Sequence, residues 1–524
     1  SRKLKPSMPE TWLSETSSEG ARTAILLGPL DESVLQQESQ VFELGLLWIA
    51  PSKTHASGNL PPKVIAINRD SPSEGLSAAI EELIRVDYDN LPAVKVSKRV
   101  EEEQAEAYTP ILDLVVSSID STARARRTRA ETGVLRQEQV FRNLAGYLVR
   151  RIPESWRRSA EGSLAVVVGA GPSLDVTLPM IKQGLPKPLI IATDSSLRAL
   201  ESENLVPHFV VSIDPEKSLQ SCGSLDHKPG IAILSTQSHS SWPKGWKEKA
   251  RYLSGRVLTE DWLATKGIPK TSILATNNAG LTSLLLADFL GPTAILLVGM
   301  DLAGGGSGQD RYADSTGRSH MQTFANQYHQ VPGNHSDTVP TPFLSDWSET
   351  SQLCGKIASG RHVVNLNDRG AQLEGASVIH PENFDELSQA LSEALRPFEP
   401  DPSILEESRG ISGPGLDQVL TILATRCDEA WKGLRPLIEK DDAAPQEKLR
   451  YLRELLSNSE IASLLGDYSF AVMPEIAPGK EPDPEMLTGR LRELQRILWL
   501  LEDAMVEAEP SEGFLTRLIT DTFA

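Results

Sequence analysis

The sequence predicts an α/β protein built around a doubly wound, mainly parallel sheet, and three observations carry that prediction. Between residues 160 and 380, the runs "LAVVVG", "PLIIATD", "HFVVSID" and "AILLVGMD" are apolar throughout rather than alternating, as strands covered by helices on both faces must be. Helical patterns fit between them at "LDVTLPMIKQG", "SLRALESENL" and "LTSLLLADFLG". Past residue 400 the strand signals stop and amphipathic helices follow, broken by Pro, Gly and Asp.

The elements divide the chain into parts. Residues 1–105 hold "TAILLG", "LGLLWIA", "KVIAIN" and "AVKVSK" as short strands, with helical patterns at "ESVLQQESQVFE" and "GLSAAIEELI". This predicts a small N-terminal α/β accessory domain; its first strand ends in Gly28-Pro29, but no second phosphate-loop glycine follows. Residues 106–158 form a helical connector, with Val134, Val140, Leu144, Leu148 and Ile152 at helical spacing and arginines on the other faces. Residues 159–385 are the central Rossmann-like domain, whose further strands are expected at "IAILST", "RYLS", "SILATN" and "HVVNLN". Residues 400–524 read as a C-terminal helical bundle; Leu491, Leu494, Ile497, Leu498 and Leu501 make an apolar stripe expected to lie in its core.

Composition removes several classes of function. Of 524 residues, 52 are Lys or Arg against 71 Asp or Glu, a net charge of −19, which argues against a nucleic acid partner. Cys222, Cys354 and Cys427 stand apart from one another, so neither a disulfide framework nor a CxxC metal site is expected, and a reducing, cytoplasmic compartment is. No apolar run reaches the roughly 18 residues that a membrane helix needs.

In a doubly wound sheet, ligands bind beyond the carboxyl ends of the strands. Four strand ends in the central domain finish in small or polar residues: Gly169-Ala170-Gly171-Pro172-Ser173, Thr193-Asp194-Ser195-Ser196, Ser212-Ile213-Asp214-Pro215 and Gly299-Met300-Asp301. At the first, glycines would let the backbone approach an anion, and the start of a helix would supply free N–H groups and positive potential. A tight strand-to-helix turn explains the same residues equally well. Leu174 fills the third glycine position of a dinucleotide fingerprint and no GxxxxGK[ST] occurs, which weighs against a nicotinamide cofactor and a P-loop NTPase. Asp194, Asp214 and Asp301 each fit a cap or a turn; as a set on one rim they could order a sugar and nucleotide, or hold Mg²⁺ beside a diphosphate. A long polar segment after Asp301 carries His320, His329 and His335. Their irregular spacing disfavours a metal site, whereas one near neutral pKa could deprotonate a hydroxyl.

In this order, "GAGPSLD", "IIATDSSLRALESENLVPHFVVSIDP", "ATNNAGLTSLLLADFLGPTAILLVGMDLAG" and "VPGNHSDTVPTPF" resemble the Maf (motility-associated factor) flagellin glycosyltransferases. The central domain of that family is shared with the 6-hydroxymethylpterin diphosphokinase MptE-like proteins and resembles bacterial sialyltransferases. The likeness covers roughly residues 130–380. It implies transfer of a nonulosonic, sialic-acid-like sugar from a CMP-activated donor to Ser or Thr hydroxyls of flagellin or another acceptor protein, with no cofactor required and no metal. Carried over by position, Gly169, Gly171, Pro172 and Ser173 would hold the CMP phosphate and ribose. Asp194, Ser195, Ser196, Asp214, Asn277, Asn278 and Gly280 would line the nucleotide pocket. Asp301 would lie near the donor sugar, and His335, His329 or a carboxylate would activate the acceptor. Two alternatives stand beside this reading: diphosphate transfer from ATP to a pterin alcohol, with Mg²⁺ on Asp214 and Glu216, and a nucleotide-binding scaffold without turnover.

Overall fold

The computed structural model describes residues 11–508 except 17–19, 57–58, 71, 73–74, 88–89, 102–104, 225–229, 305–310, 320–327, 412–413 and 440–442. The chain divides into two compact units, residues 1–128 and 129–524.

The first unit holds strands β1 (Trp12–Thr16), β2 (Thr23–Leu27), β3 (Gly45–Ala50), β4 (Val64–Asn68) and β5 (Ala93–Ser97) in the order β1-β5-β2-β3-β4. The four strands read from the sequence are all present and mutually parallel, and β1 adds an antiparallel edge. Ile25 and Leu27 enter one core while Ala24 and Leu26 enter another, so β2 is covered on both faces, as its unbroken apolar run requires. Lys95 interrupts that pattern on β5; it is buried because its ammonium reaches Glu38 at 2.9 Å.

The predicted connector is largely one helix, Ala105–Val149. The second unit then builds a parallel sheet from β6 (Leu164–Val168), β7 (Leu189–Thr193), β8 (Phe209–Ser212), β9 (Ile231–Ser235), β10 (Ala250–Leu253), β11 (Ala294–Val298), β14 (His362–Leu366) and β15 (Ser377–Ile379). A separate hairpin pairs β12 (His329–Pro332) with β13 (Thr338–Thr341). The sheet order is β10-β9-β8-β7-β6-β11-β14-β15. The chain winds outward from β6 to β10, returns to the other side of β6 at β11, and winds outward again. This doubly wound, Rossmann-like topology reverses between β6 and β11, and the crevice beyond their carboxyl ends is where such a sheet binds ligands.

Alternate residues of β6 serve different cores: Ala165 and Val167 pack with Leu281 and Leu284 of the helix Ala279–Leu290, while Val166 and Val168 pack with Leu174 and Leu178 of the helix Leu174–Ile181. The expected strand at "SILATN" forms only a single bridge, Leu274 to Ser254. Reciprocal bonds between Thr271 and Ser254 through side-chain oxygens replace the ladder there. β15 had no clear sequence signal, because only Ser377–Ile379 pair.

The C-terminal part is helical, with its longest elements at Pro414–Glu439 and Pro484–Ala508. Leu491, Leu494, Ile497, Leu498 and Leu501 are buried in a core that also takes in Val140, Leu144, Leu148 and, from the sheet, Val210, Ala232 and Leu234. The stripe is therefore a core face.

Candidate active site

The geometry of the crevice starts from two loops that press together. Gly169 N donates to Val298 O at 2.8 Å and Gly171 N donates to Gly299 O at 2.8 Å, so the loops following β6 and β11 zip together past the ends of their strands. A Cβ on Gly169 would lie 2.4 Å from Gly299 O, and one on Gly171 would lie 2.4 Å from Asp301 Oδ2. Both glycines are required by this backbone approach, before any ligand is considered.

Asp301 occupies the position that sequence reasoning gave to a phosphate. Its Oδ2 accepts from Ser173 N at 2.8 Å, and its Oδ1 accepts from Ser173 Oγ at 2.5 Å and from Asn367 Nδ2 at 2.7 Å. A carboxylate satisfies the Ser173 amide at this helix start as a phosphate would. Burial pushes the Asp301 carboxyl above its ordinary range, although the bonds from Ser173 and Asn367 pull the other way. Of Gly169, Gly171, Pro172 and Ser173, expected to hold a nucleotide phosphate, the two glycines face the cavity described below. The amides of both glycines and of Ser173 are taken within the protein, and neither Pro172 nor Ser173 lines the cavity.

A cavity of about 220 Å³ opens in front of these loops. Asp194, Ser195, Asp214, Asn277, Asn278 and Gly280 line it, as do Gly169, Gly171 and Asp301. Asp194 is 1% exposed; its Oδ1 accepts from Ser195 N at 2.6 Å and Lys217 Nζ at 3.2 Å, and its Oδ2 from Ser212 Oγ at 3.0 Å. Burial works against the Lys217 ammonium, but the charge of Asp194, together with Tyr312, Asp214 and Cys222, outweighs it and holds the lysine pKa above its ordinary value. Ser196 is also buried, its hydroxyl donating to Val168 O and Thr193 O, and it does not reach the cavity. Asn278 caps the helix Ala279–Leu290, accepting from Gly280 N at 2.7 Å and Leu281 N at 3.2 Å. Asn277 beside it is exposed on the cavity wall, with no hydrogen bond of its side chain among the described residues.

The histidines are elsewhere. His335 meets the carbonyl of Asn367 through Nε2 at 2.6 Å and packs edge-on against His380 at 5.0 Å. It stands one residue behind Asp301, since Asn367 bridges the two. His329 opens β12. Neither lines the cavity. His320 lies outside the described residues. Both oxygens of Asp301 already accept hydrogen bonds within the protein.

Sequence reasoning missed Lys217, Arg311, Tyr312, Phe343 and Asp346, all of which line the same cavity. Burial, with the neighbouring charge of Glu349, pushes the Asp346 carboxyl up to about 6, against the pull of Arg311. A carboxyl there exchanges its proton near neutral pH, as a general base requires. Its only sequence signal was an acid in the first turn of the helix Leu344–Ala358, a position that acids commonly take for electrostatic reasons alone. For a divalent cation the cavity and its neighbouring cleft offer Asp214, whose Oδ1 accepts from Glu216 N, and Glu216 in the cleft alone. Two such carboxylates suit an ion that keeps waters and leans on substrate phosphates.

Residues 138–306 match the family described as "6-hydroxymethylpterin diphosphokinase MptE-like", a span that runs through β6–β11 and ends just past Asp301. No curated protein matches the chain. Among solved structures it is similar to a Maf glycosyltransferase from Magnetospirillum magneticum AMB-1, at 15% identity and a TM-score of 0.41, covering 96% of this chain and 77% of that one.

Proposed function

We propose that this protein, through its MptE-like domain, is a glycosyltransferase that moves a nonulosonic sugar from a CMP-activated donor to a Ser or Thr hydroxyl of flagellin or another acceptor protein. The observation that carries the reading is the cavity at the β6/β11 switch point. It joins the neutral polar wall of Asn277, the Asp194–Lys217 pair and the Asp346 carboxyl, whose pKa is near neutrality.

The chemistry fits those groups. The bond between the anomeric carbon and the phosphate oxygen breaks with its electron pair leaving on CMP, and the acceptor oxygen forms a new bond to that carbon. The hydroxyl proton passes to the carboxylate of Asp346. Lys217 and Arg311 face the same space and stabilise the negative charge that develops on the departing phosphate. Asp194 keeps Lys217 charged and fixed, and Asp301 holds the two loops that form the back wall.

A second reading is favoured by the family match: diphosphate transfer from ATP to a pterin alcohol, with Mg²⁺ on Asp214 and Glu216. Titrating the protein with nucleotides while following its thermal denaturation separates the two. Stabilisation by CMP and by a CMP-sugar supports glycosyl transfer, and stabilisation by ATP with Mg²⁺ but not CMP supports the kinase. Binding of CMP without turnover of any CMP-sugar supports a scaffold, and no response to any nucleotide contradicts all three.

A further inference from the structure

The bonded helix start leaves a question that the proposed function must answer: an anionic donor approaches a chain of net charge −19, and the backbone amides at Gly169, Gly171 and Ser173 are already bonded. The cavity opens beside a cleft of about 570 Å³, and Asp214, Lys217, Arg311 and Tyr312 line both. Arg198 and Arg318 complete the cationic wall of the cleft, and Asp214 and Glu216 are the acids facing it. We propose that this cleft is the phosphate subsite of the protein, with Arg311 and Arg318 as its principal ligands for a nucleotide phosphate; the assignment to a nucleotide rests on the reading above.

Arg318 is the strongest evidence. It is 6% exposed, yet no carboxylate pairs with it among the described residues. Its Nη1 donates to Ser221 O at 3.0 Å, and its buried Nε has no partner. A guanidinium held this deeply without a counter-charge is costly, and a bound anion offsets that cost. Tyr312 fixes the pair geometrically: the guanidinium of Arg318 lies 5.1 Å from the ring centroid and that of Arg311 lies 5.0 Å from it. Arg311 also stacks on Phe343 at 5.3 Å and forms no salt bridge among the described residues. Two guanidiniums gathered on one aromatic ring present forked donors suited to phosphate oxygens. Lys217 differs, since Asp194 already balances its charge. Arg311 and Arg318 lie outside residues 138–306, whereas Arg198, Asp214, Glu216 and Lys217 of the same cleft lie within them.

The test uses calorimetric titration of the full chain with cytidine, CMP and inorganic pyrophosphate at low and high salt. The expected result is that Arg311→Ala and Arg318→Gln each weaken CMP and pyrophosphate by about tenfold or more, with cytidine affinity unchanged and the salt dependence reduced. Arg311 is exposed, so its variant retains the fold even where Arg318→Gln does not. Pyrophosphate binding that depends on both arginines, without CMP binding, keeps the subsite and removes the cytidine nucleotide. Equal affinity of wild type and Arg311→Ala for pyrophosphate, or no pyrophosphate binding by the wild type, overturns the subsite.

Discussion

Asp301 closes the helix that begins beside Ser173, accepting from its amide at 2.8 Å and from its hydroxyl at 2.5 Å. One carboxylate thus joins the end of β11 to the end of β6. Asp301→Ala leaves the Ser173 amide, the Ser173 hydroxyl and Asn367 Nδ2 without an acceptor in a buried place. It is expected to cost about 2–4 kcal/mol, read as a lower midpoint in denaturant. An unchanged midpoint would show that the contact contributes nothing.

Gly171→Ala follows from the same contact. The new methyl would stand 2.4 Å from Asp301 Oδ2 and 2.8 Å from Gly299 O, and the backbone oxygen cannot swing aside. The expected loss is about 1–3 kcal/mol, visible in thermal denaturation without any ligand. Gly171→Val should be worse, so changes at Gly171 report on the fold rather than on nucleotide binding.

Asp346→Asn removes the proposed base while keeping its shape. Because the carboxyl sits at about 6, wild-type kcat should rise as pH increases through that value and then level off. The variant should lose the rising limb and run about 10²–10⁴-fold slower, with CMP affinity preserved. A pH profile that is the same in both proteins would remove Asp346 from the mechanism.

Glu260 makes a prediction about stability. It is buried, with Oε1 accepting from Thr236 Oγ1 and Oε2 from Gly255 N, and burial pushes its pKa from 4.5 up to about 7. The folded state therefore holds the proton more tightly than the unfolded state, and stability falls as pH rises from about 4.5 to about 7. The loss from this group is on the order of 3 kcal/mol. In Glu260→Gln the amide oxygen can still accept from Gly255 and the amide nitrogen can donate to Thr236. Denaturation midpoints at pH 5 and pH 8 should differ less in the variant than in wild type, and equal differences would refute the assignment.

Much of this architecture was legible because a strand covered on both faces leaves a plain signature. β6, β7, β8 and β11 are uninterrupted apolar runs that end abruptly in glycine or polar residues, and a doubly wound sheet gathers those ends on one rim. Asp194 and Asp214 were accordingly read as cavity residues, and Asn277 was added by the family resemblance. What the sequence hid is which polar groups satisfy one another. The contact between Asp301 and Ser173 depends on the parallel register of β6 and β11, so an amide that looked available to a phosphate is already bonded. Arg311, Tyr312 and Asp346 come from stretches without strand or helix periodicity around the cavity, or from a first helical turn, where local pattern does not report direction. The histidines were attractive for their chemistry, but His335 is tied to the Asn367 carbonyl behind the site.

The central claim, that a nucleotide occupies the cavity at the β6/β11 switch point, is tested most directly at Asn277. Its exposed side chain has no hydrogen bond to spare or lose among the described residues, so Asn277→Ala should leave the denaturation midpoint unchanged. Calorimetric titration with CMP is predicted to show saturable, one-to-one binding to wild type that weakens by about tenfold in Asn277→Ala. Equal CMP affinity in the two proteins, or no CMP binding to wild type, would contradict the account.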